Sequence, residues 1–321
     1  MRRAPPRLML GVVLSAVALA AVLLTVDLAA LRAALAVTPL PALGLAGLWF
    51  GLAMLARAWA WRALLGPQVP FGRAFWALQI GFLVNNLVPL RLGELARAWV
   101  VHREAAVPWS RALSSIALAR LTDGALLALM VVLFWPARAV LPRAWVWRAI
   151  ALALAVLALV GGLAWATRGL RARLPARLRD ALVEAAAVAQ GPALARFALG
   201  KALTWALLAA YYRVLVRVWA PDLGWGATVW AMAASTLGIA VPSAPGYIGV
   251  YEAAAVGVLA VLQVPQADAL AFALVQHGLY LLLTTLLGVL ALARLGWGRA
   301  RWRAEWATAQ STASSSRRNR P

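Results

Sequence analysis

The chain has 321 residues, 64% hydrophobic and 13% charged, and a mean hydropathy of +0.81 excludes an ordinary water-soluble domain. The formal net charge of +21 sits on arginines beside apolar stretches, a membrane-topology pattern that speaks against nucleic-acid binding. The absence of cysteine excludes disulfides and thiolate metal sites, and His102 and His277 are too far apart for a local metal motif, so no cofactor is expected.

In chain order, residues of about 8–26 form a first apolar anchor with the N-terminus in the cytoplasm; the stretch is too long for a signal-peptide core and lacks a convincing cleavage site. Further full-length spans are predicted at about 40–61, 110–135, 144–167, 197–219 and 267–293. Between them, segments 72–107 and 226–264 each carry two apolar arms of about 15–17 residues around a Pro/Gly-rich tip. Such arms are short for a hydrocarbon core of roughly 30 Å, so each segment is expected to enter the membrane and return as a re-entrant or broken hairpin. Segment 168–190 places Leu170, Leu174, Leu178 and Leu182 among arginines and reads as a cytoplasmic amphipathic helix. The basic tail 294–321 is expected to be cytoplasmic and disordered at its end, with Trp297, Trp302 and Trp306 as interfacial anchors.

With both hairpins returning to their own side, arginines favour the cytoplasm by roughly four to one. Arg57, Arg62 and Arg73 are grouped there, and the single lysine among 31 basic residues reads as a compositional bias toward arginine. The expected fold is all-α: a polytopic membrane domain over 1–293 with about six full transmembrane helices and two hairpins. Both termini are expected in the cytoplasm and the protein in the cell (inner or plasma) membrane.

The two hairpin regions resemble each other. Gly72 and Trp76 match Gly226 and Trp230, Val88-Pro89 matches Val241-Pro242, Glu94 matches Glu252, and Val107-Pro108 matches Val264-Pro265. The repeat units are then about 40–135 and 197–293, separated by one span and therefore inverted, an architecture of secondary transporters with a midplane substrate site.

Charges in the membrane interior need partners or a water-filled cavity. Arg91, Glu94 and Arg97 share i, i+3 spacing, as do Arg120 and Asp123, while Glu252 lies on the second returning arm and His277 takes the place of Arg120 in the second unit. Each returning arm presents a helix N-terminus suited to an anion such as phosphate, with Arg91 and Arg120 as its cationic partners. Pro89, Gly93, Pro245, Gly246 and Gly249 permit sharp turns and close approach, and Asn85 and Asn86 are expected to satisfy carbonyls freed by the break. Plainer readings stand beside these: an Arg120–Asp123 packing bridge, Glu94 capping its own helix, and His277 as a packed polar residue or a proton carrier. His102 reads as structural.

At these residues "NNLVPLRLGELARAW" (85–99), "ALARLTDG" (117–124) and "VPSAPGYIGVYEAA" (241–254) the chain resembles the lysylphosphatidylglycerol synthase transmembrane-region family of flippase-like membrane proteins. The matching elements are Asn85, Asn86, Pro89, Gly93, Glu94 and Arg97; Arg120 and Asp123; and Pro245, Gly246, Gly249 and Glu252. Family members often carry an arginine where this chain has Gln276-His277, which leaves the charge pairing of the second half open. The resemblance implies movement of a lipid, phospholipid or polyprenyl/glycolipid, with an anionic or glycosylated head group between leaflets. These 321 residues carry no aminoacyl-transferase domain like that of bifunctional relatives, so no enzymatic activity is expected. The alternatives are a membrane-embedded transferase with Glu94 or Asp123 as general base, or a structural partner of a separate lipid-modifying enzyme.

Overall fold

A computed structural model describes residues 6–88, 92–135, 191–238 and 243–296, and every regular element among them is helical. Four helices are long and apolar enough to cross a membrane: α3 (Leu40–Leu65), α6 (Trp109–Leu133), α7 (Pro192–Trp219) and α10 (Gln266–Arg294). Before them, α1 (Pro6–Thr25) meets α2 (Leu28–Ala36) at 94°, a break that makes this pair at most one further span. The bend has a local cause, because Asp27 ends the first helix and caps the second, accepting the Ala29 N–H at 2.8 Å. The protein is thus a multi-pass membrane protein with four to five spans among the described residues. The span predicted at 144–167, the amphipathic segment 168–190 and residues 297–321 lie outside them.

Proline sets the starts of the long helices. Pro39, Pro70, Pro108 and Pro265 each occupy the N-cap before α3, α4 (Phe71–Leu87), α6 and α10. The proline ring fixes φ and its missing N–H removes a donor that a helix start leaves orphaned anyway.

The two broken segments fold back on themselves. The first comprises α4 and α5 (Gly93–Ala105); the second comprises α8 (Trp225–Gly238), a 3₁₀ turn at Pro245–Tyr247, and α9 (Val250–Val261). The returning arms, of 13 and 12 residues, are shorter than the 15–17 expected, since each turn consumes several residues. At 1.5 Å per residue they reach about 20 Å, too little to cross alone. In the first hairpin Arg73 donates to the Glu104 carbonyl near the open end, and Gly81 faces Gly93 near the tip, so the arms run antiparallel. In the second, Gly238 packs on Ala254.

The tips meet against α10. Asn86 Nδ2 donates to Thr284 Oγ1 at 2.8 Å and to Thr285 Oγ1 at 3.2 Å, in the middle third of that helix. A side-chain carbon at Gly246 would lie 3.4 Å from Leu281 and 3.6 Å from the Asn86 carbonyl oxygen, so the second turn rests on the first. The arms also exchange partners: α4 packs on α10, and α8 packs on α6. Elsewhere α3 and α7 approach through small residues, with Gly200 against Ala60, as membrane helices do where lipid offers no hydrophobic drive.

Candidate functional site

Seven helices and the 3₁₀ turn enclose a cavity of about 380 Å³ where the hairpin tips meet. Its wall is largely aromatic, with Phe50, Phe82, Trp205, Tyr211, Tyr212 and Tyr280 among its residues, but one side is ionic. That side is built at the start of α5. Glu94, second residue of the helix, accepts from Arg120 Nε of α6 at 2.9 Å, and its Oε2 forms an ion pair with Arg97 Nη2, one turn along its own helix, at 2.5 Å. Arg97 is buried, with its guanidinium 4.9 Å above the Trp61 ring. Arg120 remains 45% exposed at its side chain, which makes it the open edge of the site.

Asp123 lies one turn beyond Arg120 on α6 but bonds elsewhere. Lys201 Nζ of α7 donates to its Oδ1 at 2.7 Å, and Trp205 Nε1 donates to the same oxygen at 3.1 Å. The i, i+3 pair that α6 offers on its own therefore gives way to two interhelical pairs, Arg120 with Glu94 and Asp123 with Lys201. The reason is geometric. Helical spacing permits an i, i+3 contact, as Glu94 and Arg97 show, so the rotation of α6 against α5 and α7 is what turns its two charges to different partners.

The second hairpin repeats the motif with a different base. Glu252 Oε2 accepts the Gly249 N–H at 2.6 Å, closing the start of α9, and Oε1 meets His277 Nδ1 of α10 at 2.6 Å. His277 thus supplies the partner left open by the missing arginine, and it lines the cavity between Tyr251 and Tyr280. Tyr251 and Tyr212 share a hydrogen bond of 2.8 Å, and Tyr211 donates to the Gln276 carbonyl at 2.9 Å.

The tips' backbone needs are met differently from expectation. Asn85 Oδ1 accepts the Gly93 N–H at 2.9 Å, serving an amide instead of a carbonyl, because a helix start orphans donors. Asn86 points to the threonines of α10 and donates to their hydroxyls, not to a carbonyl. Gly93 is needed for approach, since a Cβ there would fall 1.9 Å from the Gly81 oxygen; Gly249 is needed for its φ of +87°.

Of the predicted residues, Asn85, Arg120, Asp123 and His277 line the cavity, and Glu94, Arg97 and Glu252 hold those residues or a helix start in place. Asn86, Gly93, Pro245, Gly246 and Gly249 shape the tips, while Pro89 and Arg91 lie outside the described residues. His102 bonds the Val107 carbonyl at 2.8 Å, at the turn into α6, a structural role.

Two basic residues escaped the sequence reading. Arg57, grouped with the cytoplasmic arginines, lies within α3 on the cavity wall, its guanidinium 5.6 Å from the Trp205 ring centroid and 5.9 Å from that of Phe82. Lys201, read as a trace of composition, completes the most buried ion pair of the ionic side. Its only sequence signal was its rarity. Among the described residues no group of three or more His, Cys, Asp or Glu could hold a metal.

The ionic side carries four positive charges, from Arg57, Arg97, Arg120 and Lys201, against two negative ones, from Glu94 and Asp123. Of these residues Arg57, Arg120 and Asp123 line the main cavity itself, so its ionic wall is net positive among the described residues. A comparison with curated proteins finds no match to the chain. The family model described as "Lysylphosphatidylglycerol synthase TM region" matches residues 8–288, and the chain accordingly belongs to that family of membrane proteins.

Proposed function

We propose that the protein moves a lipid with an anionic or glycosylated head group between membrane leaflets. The head group enters the cavity at Arg120, while the acyl or prenyl tails stay in the bilayer. The observation that carries this reading is the surplus of positive charge in a cavity formed where two hairpin tips meet, with Arg120 at its open edge. A charge surplus within a membrane domain is costly unless an anionic ligand or water offsets it.

An inverted repeat supports transport over static binding. Arg120 follows Glu94 by 26 residues and His277 follows Glu252 by 25, and both pairs join a returning arm to the next span. Ala106 (φ 51°) and Gln263 (φ 60°) each adopt a left-handed backbone two residues before the proline that opens α6 or α10. The exchange of arms between units, α4 onto α10 and α8 onto α6, is what a two-fold relation in the membrane plane produces. On this reading the whole chain has about six spans, with both termini in the cytoplasm of a cell whose inner or plasma membrane it occupies. Glu94 and Asp123 are each held in ion pairs and are poor general bases, which favours a transporter over an enzyme. A separate lipid-modifying enzyme would supply or use the lipid.

The test is leaflet exchange by purified protein in liposomes with fluorescent lipids of different head groups, read by dithionite quenching. Charged hydrogen bonds are worth about 1.5–3 kcal/mol, so Arg120→Ala and Glu94→Gln should slow head-group-selective exchange roughly tenfold to a hundredfold. Folded Arg120→Ala protein that exchanges lipid at the wild-type rate would sink the reading.

A further inference from the structure

Beside the main cavity, and sharing Arg57, Arg120 and Asp123 with it, lies a second, smaller one of about 20 Å³, lined also by Arg97, Lys201 and Trp61. Two donors on these lining residues are orphaned: Nε of Arg57 and Nε of Arg97 are both buried, and neither donates to an acceptor among the described residues. Arg97 is only 7% exposed, and its one ion pair engages Nη2, not Nε. Arg57 forms no hydrogen bond or ion pair among the described residues, only its contacts over Phe82 and Trp205. Leaving a buried charged donor without an acceptor is costly, so two beside one small cavity call for an occupant.

Size and charge define that occupant. About 10–15 Å³ accommodates one water, so about 20 Å³ takes a single water-sized particle and excludes a four-oxygen phosphate. Water would satisfy the N–H groups but leave the local surplus of two positive charges untouched. A monatomic anion does both. It also leaves one unit of positive charge, which matches the single negative charge of a phosphodiester at Arg120.

We propose that this cavity is a binding site for one chloride-sized monovalent anion, held by the guanidinium groups of Arg57 and Arg97. The site shares Arg57, Arg120 and Asp123 with the head-group cavity but does not depend on lipid movement: a protein that binds chloride but exchanges no lipid would sink only the transport reading.

The test uses the full chain purified in an uncharged detergent without added lipid. Its thermal midpoint is followed at constant ionic strength while gluconate is replaced by chloride. The expected result is a midpoint that rises and saturates with chloride, as for any ligand that binds only the folded state, with bromide substituting and sulfate failing. Arg57→Gln should abolish the response. Should that variant not fold, saturable chloride-35 line broadening by wild-type protein, reversed by bromide, reads the same binding. A flat response, or an equal rise in sulfate, overturns the proposal in favour of water and general screening. A response that appears only after adding short-chain phosphatidylglycerol overturns it in favour of a lipid phosphate oxygen.

Discussion

Asp123→Ala should destabilise the folded protein by about 3–5 kcal/mol, the cost of stranding a buried partner charge. Lys201 is the stranded group: its side chain is 4% exposed, and among the described residues its Nζ donates to Asp123 and to the Ala119 carbonyl. Trp205 loses its acceptor at the same time, adding an orphaned indole N–H to the loss. The companion experiment separates this from simple loss of packing. Asp123→Leu combined with Lys201→Met replaces the pair with apolar groups of similar bulk and should recover most of the stability, because a buried ion pair is close to neutral against a hydrophobic substitute. Unfolding in detergent by denaturant measures both. A single variant costing less than about 1 kcal/mol would show that Lys201 finds another partner.

Gly93→Ala should be nearly as damaging, with a cost at or above the upper end of the roughly 1–3 kcal/mol typical of overpacking. The added carbon would sit 1.9 Å from the Gly81 carbonyl oxygen and 2.6 Å from Asn85 Oδ1. The first obstacle is backbone of the opposing arm, which cannot swing aside as a long side chain can. The second is the group that bonds the Gly93 N–H, so relief there loses the cap. Gly124, on the cavity side of α6, is the matched control: a Cβ there meets nothing within 4 Å. Gly124→Ala should raise stability by about 0.5–1 kcal/mol through the helix's conformational entropy alone. Equal effects at the two glycines would disprove the close approach of α4 and α5.

The spans and breaks were legible because hydropathy is a one-dimensional signal. Runs of Ala, Leu and Val gave α3, α6, α7 and α10, and "NNLVPLRLGE" and "VPSAPGYIG" marked where helix could not continue. The N-terminal bend was written in the sequence as well, in an aspartate before "LAALRAALA", yet a hydropathy window passes over a single cap residue. The charged candidates Glu94, Arg120, Asp123, Glu252 and His277 were visible as polar residues at membrane depth. Their pairing was not. Helical spacing identifies which residues share a face, but the rotation of one helix against another decides that Arg120 turns to α5 and Asp123 to α7. Arg57 was lost for a related reason: near the end of a span, an arginine reaching the interface and one turned into the interior have the same local sequence.

Thirty arginines and one lysine give this membrane protein an unintended chemical convenience. Apart from the amino terminus, Lys201 is the chain's sole primary amine, and it is locked against Asp123 in the interior. Acylating reagents ignore guanidinium groups and attack only a free, uncharged amine, so modification at that position, counted by mass spectrometry, records each exposure of the ionic side. Wild-type protein needs no engineered label: its opening frequency, with and without lipid, can be read from the rate at which one residue gains mass.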